Sequence, residues 1–461
     1  MVRKAPFLKC VRAAGVTLVG TMMVMVSAPA KADTLNQALV KLYNSSPDLM
    51  AARYAAEATN EVFNQVAANA LPQVTSTWQT AYGRTYNEIL RDTGDFTTSG
   101  SLSGGLSVSQ TISPVISGGV VQTRKSVEAG WAGYDQNEQS IILSGIQAYL
   151  GVIQAQSAIS LQASNITLLE RQLEAAQSRF DAGSGTRTDI AQVSASLADA
   201  QAGVQQARGN LAIAQASYQQ IFGSAPQSLI FPSLPTSMPA TLQEAMAVAI
   251  EDNPSVKSGL VALEEAAAKM KVTQAELQPS YQLGLSAQRN QDILAGGGTT
   301  NFSTSVGVSV PLYGNRQISK SKIRQDEIAI YRLEEQLRSI KSGVELQVVQ
   351  AWNQYMTAQA VGQARASQIY AAELSLRGAE AELDAGTKTN LDVISAQQSL
   401  TGAQVAASTA RVDVVQGAYN LVAAMGKLAA SDLRLPVQYY EPQREFENRK
   451  IRNLATLLYD R

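Results

Sequence analysis

One short pattern occurs twice in this chain, half a chain apart, and it constrains the fold more than any other feature. Segments 181–189 and 384–392 share the frame D-A-G-x-x-T-x-x-D. Glycine directly after a helical run ends the helix, because glycine adopts a left-handed conformation without steric cost. The Thr-x-x-Asp spacing that follows is that of a capping box, which begins the next helix. Each copy therefore predicts the tip of a helical hairpin.

The two tips belong to a larger internal repeat. Identical residues stand at one constant offset in the two halves: Thr34, Pro47 and Pro72 correspond to Thr241, Pro254 and Pro279. Two units therefore follow one another, 33–225 and 241–428, and a proline-rich linker, 226–240, joins them. A repeat of this size implies pseudo-symmetry in the fold.

Long helices with a coiled-coil pattern flank each tip. After the first tip, apolar and small residues alternate at steps of three and four, beginning with Val193, Leu197, Ala200 and Val204. The helices before the tips run from near Val120 to Ala182 and from near Ile318 to Ala385 without proline. About 65 helical residues span on the order of 100 Å. Periodicity alone fits a solvent-exposed coiled-coil rod equally well.

Four segments instead alternate with the period of a β-strand, at about 73–90, 100–112, 280–291 and 300–312. In the first, Val74, Trp78 and Tyr82 share one face, while Thr75, Thr77 and Gln79 share the other. The polar faces carry Ser, Gly, Gln and Thr but almost no Lys or Glu, which favours a lumen lining over a soluble sandwich. Four strands cannot close a membrane barrel, which needs about eight at the least. The chain would therefore share its barrel with copies of itself.

Composition narrows the functional classes. Segment 1–32 has a positive start, an apolar run and Ala-Lys-Ala before Asp33, which predicts a secretory signal peptide. The lone cysteine, Cys10, precedes that apolar run, so no lipid anchor is predicted. The chain has no histidine, which excludes histidine-based triads and zinc sites, and we predict no enzyme, cofactor or metal. Its 37 Lys and Arg against 38 Asp and Glu argue against nucleic acid as a partner. No transmembrane helix is expected.

The order of elements, the twofold repeat and the Gly-x-x-Thr-x-x-Asp tips resemble the TolC family of outer-membrane efflux proteins, in its non-lipidated form. The exits from strand into long helix, at 114–119 and 311–314, add to a resemblance that covers about 33–428. It implies a mixed α and β membrane protein that forms a homotrimer. Four strands per chain would build one twelve-stranded outer-membrane β-barrel, and α-helical coiled coils would continue it as a periplasmic barrel.

The resemblance also implies function and partners. Such a protein is the outer-membrane channel component of a tripartite export system, a passive duct for efflux of drugs, dyes, detergents and bile salts. Its partners are a periplasmic adaptor (membrane fusion) protein, an inner-membrane transporter and outer-membrane lipid. A dedicated type I protein secretion channel is the alternative within the family. A soluble periplasmic coiled-coil scaffold or adaptor is the rival outside it.

Specific residues at the tips match family positions. The resemblance assigns Asp189, Lys388 and Asp392 to the periplasmic gate and constriction: Asp189 as acceptor of an inter-helix link, Lys388 as its cationic partner, and Asp392 as an acidic ring. The tip residues expected to dock the adaptor are Gly183, Thr186, Arg187, Gly386 and Thr387. Leu383 and Ser395 depart from the family pattern, which implies a looser gate and a less acidic ring. Helix capping and turn formation also explain these residues.

The tail, 429–461, lies beyond the resemblance and contains Pro436, Tyr439 and Tyr440 with a charged segment. Two alternatives stay open from sequence: the tail wraps the helical barrel near its middle, or it has no fixed structure.

Overall fold

The computed structural model describes residues 33–86 and 96–450. The predicted signal peptide, the connection 87–95 and the end of the tail, 451–461, lie outside the described residues. The first repeat contains α1 (Leu35–Ser45), α2 (Pro47–Ala68), β1 (Gln73–Tyr86), β2 (Phe96–Ile112), α3 (Pro114–Asp181) and α4 (Arg187–Phe222).

The second repeat has the same order of elements. It contains α5 (Leu242–Asp252), α6 (Pro254–Ala275), β3 (Ser280–Asp292), β4 (Gly297–Ser309), α7 (Tyr313–Asp384) and α8 (Asn390–Ala424), and the tail adds α9 (Pro442–Arg449). Mixed α and β structure, with four strands within 33–86 and 96–450, is therefore confirmed. Within the described ranges, none of the helices has the length and apolar character needed to cross a membrane.

The two longest helices begin earlier than the sequence pattern suggested. Helix α3 starts at Pro114 rather than near Val120, because the Ser113 side chain caps the Val115 N–H at 3.2 Å and proline is well suited to the first helical position. Helix α7 starts at Tyr313 rather than near Ile318. With 68 and 72 residues, the two helices are each about 100 Å long.

The hairpins α3/α4 and α7/α8 close on seams of small and branched residues. In α4 the predicted seam residues Val193, Ala200 and Val204 are buried. In the second hairpin, Gly417 lies so close to α7 that a Cβ atom would approach the Tyr355 Cα to 3.1 Å. These seams permit close helix approach along most of each hairpin, as an alanine-rich coiled coil should.

The four strands form one antiparallel sheet in the order β1-β2-β3-β4, so the β2–β3 pair joins the two repeats. The register aligns like faces across all four strands. One row reads Val74, Val108, Leu285, Thr304, and the adjacent row on the other face reads Thr75, Ser107, Ser286, Ser303. The apolar face is open to the surroundings, with Trp78 78% and Phe302 81% exposed. One apolar and one polar face is the alternation that the sequence predicts.

The largest buried cluster lies midway along the molecule, where α1, α3, α4, α8 and the tail meet. Tyr43, Tyr149, Tyr218 and Phe222 are nearly inaccessible there. The Tyr149 hydroxyl donates to the Ile230 carbonyl at 2.6 Å, which fixes the linker between the repeats against α3.

Up to residue 450 the tail packs on the helices, as the first of the two alternatives expected. Phe446 makes edge contacts with Phe63 and Trp131, at ring-centroid distances of 4.9 and 5.6 Å. The Ala430 N–H donates to the buried Glu138 Oε1 at 2.8 Å. Residues 429–450 therefore lie against α2 and the part of α3 nearer the sheet.

Candidate functional site

The first tip joins α3 to α4 through a left-handed glycine. Gly183 has φ 72°, and its N–H donates to the Phe180 carbonyl at 2.9 Å. Helix α4 is then capped by Thr186, whose backbone N–H and hydroxyl donate to Asp189 Oδ2 at 2.9 and 2.7 Å. Asp189 returns a hydrogen bond from its own N–H to the Thr186 hydroxyl at 3.2 Å. The stop and start signals seen in the sequence thus form a closed turn.

The second tip repeats this arrangement between α7 and α8. Gly386 has φ 74°, and the Thr387 N–H and hydroxyl both bond to the Glu382 carbonyl at 2.9 Å. Asp392 Oδ2 accepts from the Thr389 N–H at 2.9 Å and from the Thr389 hydroxyl at 2.7 Å. Both tips therefore have the same backbone course and the same acid-capped helix start.

A basic side chain connects the two hairpins at the level of the tips. Arg179, near the end of α3, donates from Nη2 to Asp384 Oδ1 at 3.0 Å and from Nη1 to Asn390 Oδ1 at 3.3 Å. Asp384 ends α7 and Asn390 begins α8, so one guanidinium contacts both helices of the second hairpin. The planar guanidinium group carries several N–H donors and can therefore bind two acceptors at once.

The predicted gate residues lie at the tips, each with a partner in its own hairpin. Lys388 Nζ forms an ion pair with Glu382 Oε2 at 2.8 Å, and both side chains are about half exposed. Asp189 and Asp392 hold the capping hydrogen bonds described above. Asn390 of the second hairpin and Arg179 of its own hairpin both help to stabilise the ionised form of Asp189.

Local hydrogen bonds and charges hold these groups ionised. The hydroxyl and N–H of Thr186 lower the pKa of Asp189, with smaller contributions from Asn390 and Arg179. The N–H and hydroxyl of Thr389 lower the pKa of Asp392, and the charge of Lys388 acts in the same direction. Glu382 raises the pKa of Lys388. Both tips consequently carry fixed charges at neutral pH.

The residues predicted to dock an adaptor are grouped at the ends of the hairpins. Gly183, Thr186, Arg187, Gly386 and Thr387 are all exposed. Arg187 is placed over its own hairpin, with its guanidinium carbon 6.0 Å from the centre of the Phe180 ring.

Sequence reasoning missed the residues that join the hairpins. Arg179, Asp384 and Asn390 flank or belong to the repeated motif, yet their pairing depends on how one hairpin is rotated against the other. The sequence did contain one relevant difference between the two tips: the residue after the capping threonine is Arg187 in the first copy and Asn390 in the second. It shows that the two tips are not chemically equivalent.

Polar pairs continue along the boundary between the hairpins, away from the tips. Asn165 Oδ1 accepts from Gln397 Nε2 at 3.3 Å and from the Thr401 hydroxyl at 3.2 Å, and all three residues are buried. Farther along, Gln154 Nε2 donates to the Thr409 hydroxyl at 3.3 Å. The α3/α8 boundary thus carries polar pairs among its apolar contacts, such as the one between Ile394 and Ala176.

The structure combines two helical hairpins, the longer helix of each about 100 Å long, with a sheet that has one apolar and one polar face. Within 33–86 and 96–450, no group of acidic side chains is placed to hold a metal ion. A sheet whose apolar face is exposed, with long helices leading away from one of its ends, defines a subunit of a membrane channel rather than a soluble scaffold.

Comparison with known proteins identifies the family. Residues 38–224 and 246–427 each match the family model described as outer membrane efflux protein. The chain is 30% identical to the outer membrane efflux protein BepC of Brucella suis biovar 1 over 446 residues, 94% of each chain. It is also 26% identical to the alkaline protease secretion protein AprF of Pseudomonas aeruginosa, over 66% of this chain and 64% of that protein.

Among solved structures, the outer-membrane channel OprN has a similar fold, with a TM-score of 0.72, 19% identity, and coverage of 85% of this chain and 89% of that one. The chain belongs to the outer membrane efflux protein family. It is therefore an efflux protein of the outer membrane that extends into the periplasm, and the two family-model segments confirm two tandem repeats.

Proposed function

We propose that this chain, as a homotrimer, forms the outer-membrane duct of a tripartite export system for toxic compounds such as drugs, dyes, detergents and bile salts. The observation that carries this proposal is the sheet. Its apolar face suits lipid and its hydroxyl-rich and amide-rich face suits water. Strands β1 and β4 are its two edges, and unpaired edge groups are too costly to leave in lipid. Three copies would pair these edges and close one twelve-stranded barrel.

The gate is proposed to lie at the tips. Asp189 accepts in a link between hairpins, Lys388 supplies a cationic partner, and Asp392 forms a ring of three fixed negative charges. Arg179 joins this set, because it already bridges the two hairpins within one subunit. The ionised state of each acid at neutral pH supports these roles.

The two departures from the family pattern fit a weaker gate. Leu383 is half-buried among the apolar residues of its own hairpin, so it contributes no polar link there. Ser395 donates its hydroxyl to the Leu391 carbonyl at 2.8 Å, so it adds no charge to the constriction. Asp392 would then be the main source of negative charge in the ring.

The exposed tips are proposed to bind the periplasmic adaptor that connects the duct to an inner-membrane transporter. Gly183, Thr186, Gly386 and Thr387 present small, uncharged surfaces, and Arg187 adds one positive charge at the first tip. The duct itself does no chemistry, and its energy comes from the transporter.

Protein secretion is the second candidate cargo. AprF, a relative over two thirds of this chain, is by name a secretion protein for a protease. The longer match to an efflux protein, over 94% of both chains, favours small toxic compounds.

The first test is single-channel conductance of the purified mature protein in planar bilayers, with its oligomeric mass measured in the same detergent. We expect a trimer with a small, cation-preferring conductance. A soluble particle that does not conduct would overturn the barrel and return the protein to the class of periplasmic scaffolds.

The second test concerns cargo. A Gram-negative host that lacks its own efflux channel is given this chain together with a drug transporter and adaptor, or with a type I secretion transporter and adaptor. Restored resistance to dyes and bile salts supports efflux. Secretion of a substrate protein without restored resistance would favour the second candidate.

A further inference from the structure

Within the described strands, the apolar face of the sheet carries two charged residues, Arg84 near the outer end of β1 and Arg289 on β3. Because the helices leave from the ends at 73, 112, 280 and 309, the hairpin ends of the strands point away from the periplasm. Moving outward along β3, Tyr281, Leu283, Leu285 and Ala287 share the apolar face, and Arg289 comes next on that face.

The height of Arg289 can be worked out from strand geometry. Eight residues separate it from Tyr281, which is about 27 Å along a strand and about 20 Å along the membrane normal for a typical tilt. Outer-membrane barrels carry an apolar band about 25 Å tall. Trp78 lies in the same row as Arg289, and tryptophan is enriched where the bilayer meets water. Arg289 is therefore placed near the headgroups of the outer leaflet.

Hydrogen-bond donors surround Arg289 on this face. Thr300 is its register partner on β4, and Gln291 follows on the same face of β3. Their neighbours across the sheet include Gly104 and Gly298. The Trp78 ring covers Gly104 so closely that a Cβ atom there would lie 2.7 Å from Trp78 Cε3. The side chains of Arg289, Gln291 and Thr300 thus form a patch of hydrogen-bond donors, with glycines beside it and the Trp78 ring at one side.

Asp292, the acidic residue among the described strand positions, does not neutralise this patch. It lies on the polar face, in the row of Ala81 and Ser101. Its Oδ1 also accepts from the Leu294 and Ala295 N–H groups at 2.8 and 2.9 Å, within the β3–β4 turn. The guanidinium of Arg289, exposed on the apolar face, therefore needs an anion from outside the sheet.

We propose that Arg289, together with Gln291 and Thr300, binds a phosphate group of an outer-leaflet phosphoglycolipid, at one site per subunit. Guanidinium binds phosphate through paired hydrogen bonds, and the amide and hydroxyl add donors to the remaining oxygens. The acyl chains of the same lipid would lie over the apolar rows below, beside Leu285 and Phe302. This site rests on the proposed barrel, because only a closed barrel places this face in lipid.

The test is native mass spectrometry of the purified trimer with bisphosphorylated lipid A, compared with Arg289→Gln. A matched control is Arg332→Gln, the same change at an exposed position on α7 far from the sheet. We expect up to three lipids per wild-type trimer, an affinity at least about tenfold weaker for Arg289→Gln, and no change for Arg332→Gln. Lipid A without phosphate should bind as weakly to the wild type as the phosphorylated form binds to Arg289→Gln.

Three results would overturn the proposal: equal binding by Arg289→Gln, equal binding of phosphate-free lipid A, or displacement of the lipid by inorganic phosphate at the same concentration. The last would define a simple anion site. Conductance recorded from the same preparation separates this proposal from the proposed function. A conducting trimer without phosphate-dependent lipid binding refutes the lipid site alone, whereas a protein without trimers or conductance refutes the duct.

Discussion

Removing the Arg179 guanidinium should loosen the closed duct. In each subunit this side chain bridges the hairpins through contacts of 3.0 Å to Asp384 and 3.3 Å to Asn390. The arginine side chain is 36% exposed and that of Asp384 is 75% exposed, so water screens the pair strongly. An exposed ion pair of this kind contributes about 0.2–1 kcal/mol.

The symmetry of a trimer multiplies this small energy. If three subunits open together, the three links contribute about 0.6–3 kcal/mol to the closed state, so Arg179→Gln should shift the opening equilibrium by about 3-fold to about 100-fold. Recordings from planar bilayers would show this shift as longer or more frequent openings. High salt should produce a smaller change in the same direction for the wild type, because screening weakens exposed pairs.

Two variants decide whether the bridge acts as described. Asp384→Asn should also increase opening, and the double variant should add little to either single change, because both remove the same link. Arg338→Gln is the matched control, since Arg338 pairs with Glu335 within α7 at 2.8 Å and joins no second hairpin. Wild-type opening in both Arg179→Gln and Asp384→Asn would refute a gating role for the pair.

Other changes test the tail, the ring and the packing within the second repeat. Glu138→Gln should protect the tail from proteolysis at neutral pH. Burial raises the pKa of Glu138, so the folded protein is more stable with this carboxyl group protonated and loses that stability as the pH rises through the raised pKa. Glutamine is neutral at every pH and avoids this loss. The variant should therefore also flatten the pH dependence of cleavage. Asp392→Asn should reduce cation preference in bilayers, and unchanged selectivity would leave Asp392 only its capping role. Gly426→Ala should lower the melting temperature of the trimer, since Gly426 has φ 76° and a Cβ atom would lie 2.6 Å from the Asn253 Cα. Gly151→Ala, which meets no atom within 4 Å, should change it little.

The parts of the fold that sequence predicted are those with local causes. Gly183 and Gly386 end their helices because the backbone there has positive φ, and Asp189 and Asp392 begin the next helices through hydrogen bonds to residues three positions earlier. Strand alternation likewise determines which side chains share a face. Signals of this kind need no knowledge of distant contacts.

Contacts between residues far apart in the chain could not be predicted from the sequence. The tail is held by contacts such as Phe446 on Trp131 and the Asn60 amide on the Pro442 carbonyl at 3.2 Å, which join residues hundreds of positions apart. The pairing of Arg179 with Asp384 depends in the same way on the rotation of one hairpin against the other. Helical periodicity gives the face of a residue, but not the neighbour that this face meets.

The contacts within a hairpin, between α7 and α8, differ from the contacts between hairpins, where α3 meets α8. This difference predicts which helices separate when the duct opens. Separating α7 from α8 would expose apolar surface and undo contacts as close as Gly417 on Tyr355, which water cannot replace. Near the tips, separating α3 from α8 would instead expose Asn165, Gln397 and Thr401, whose hydrogen bonds water can replace at small net cost. The Arg179 bridge lies at the tip end of that same boundary. Each hairpin should therefore move as a unit. The boundary between hairpins should part first at its tip end, because farther along α3 and α8 share the largest apolar cluster.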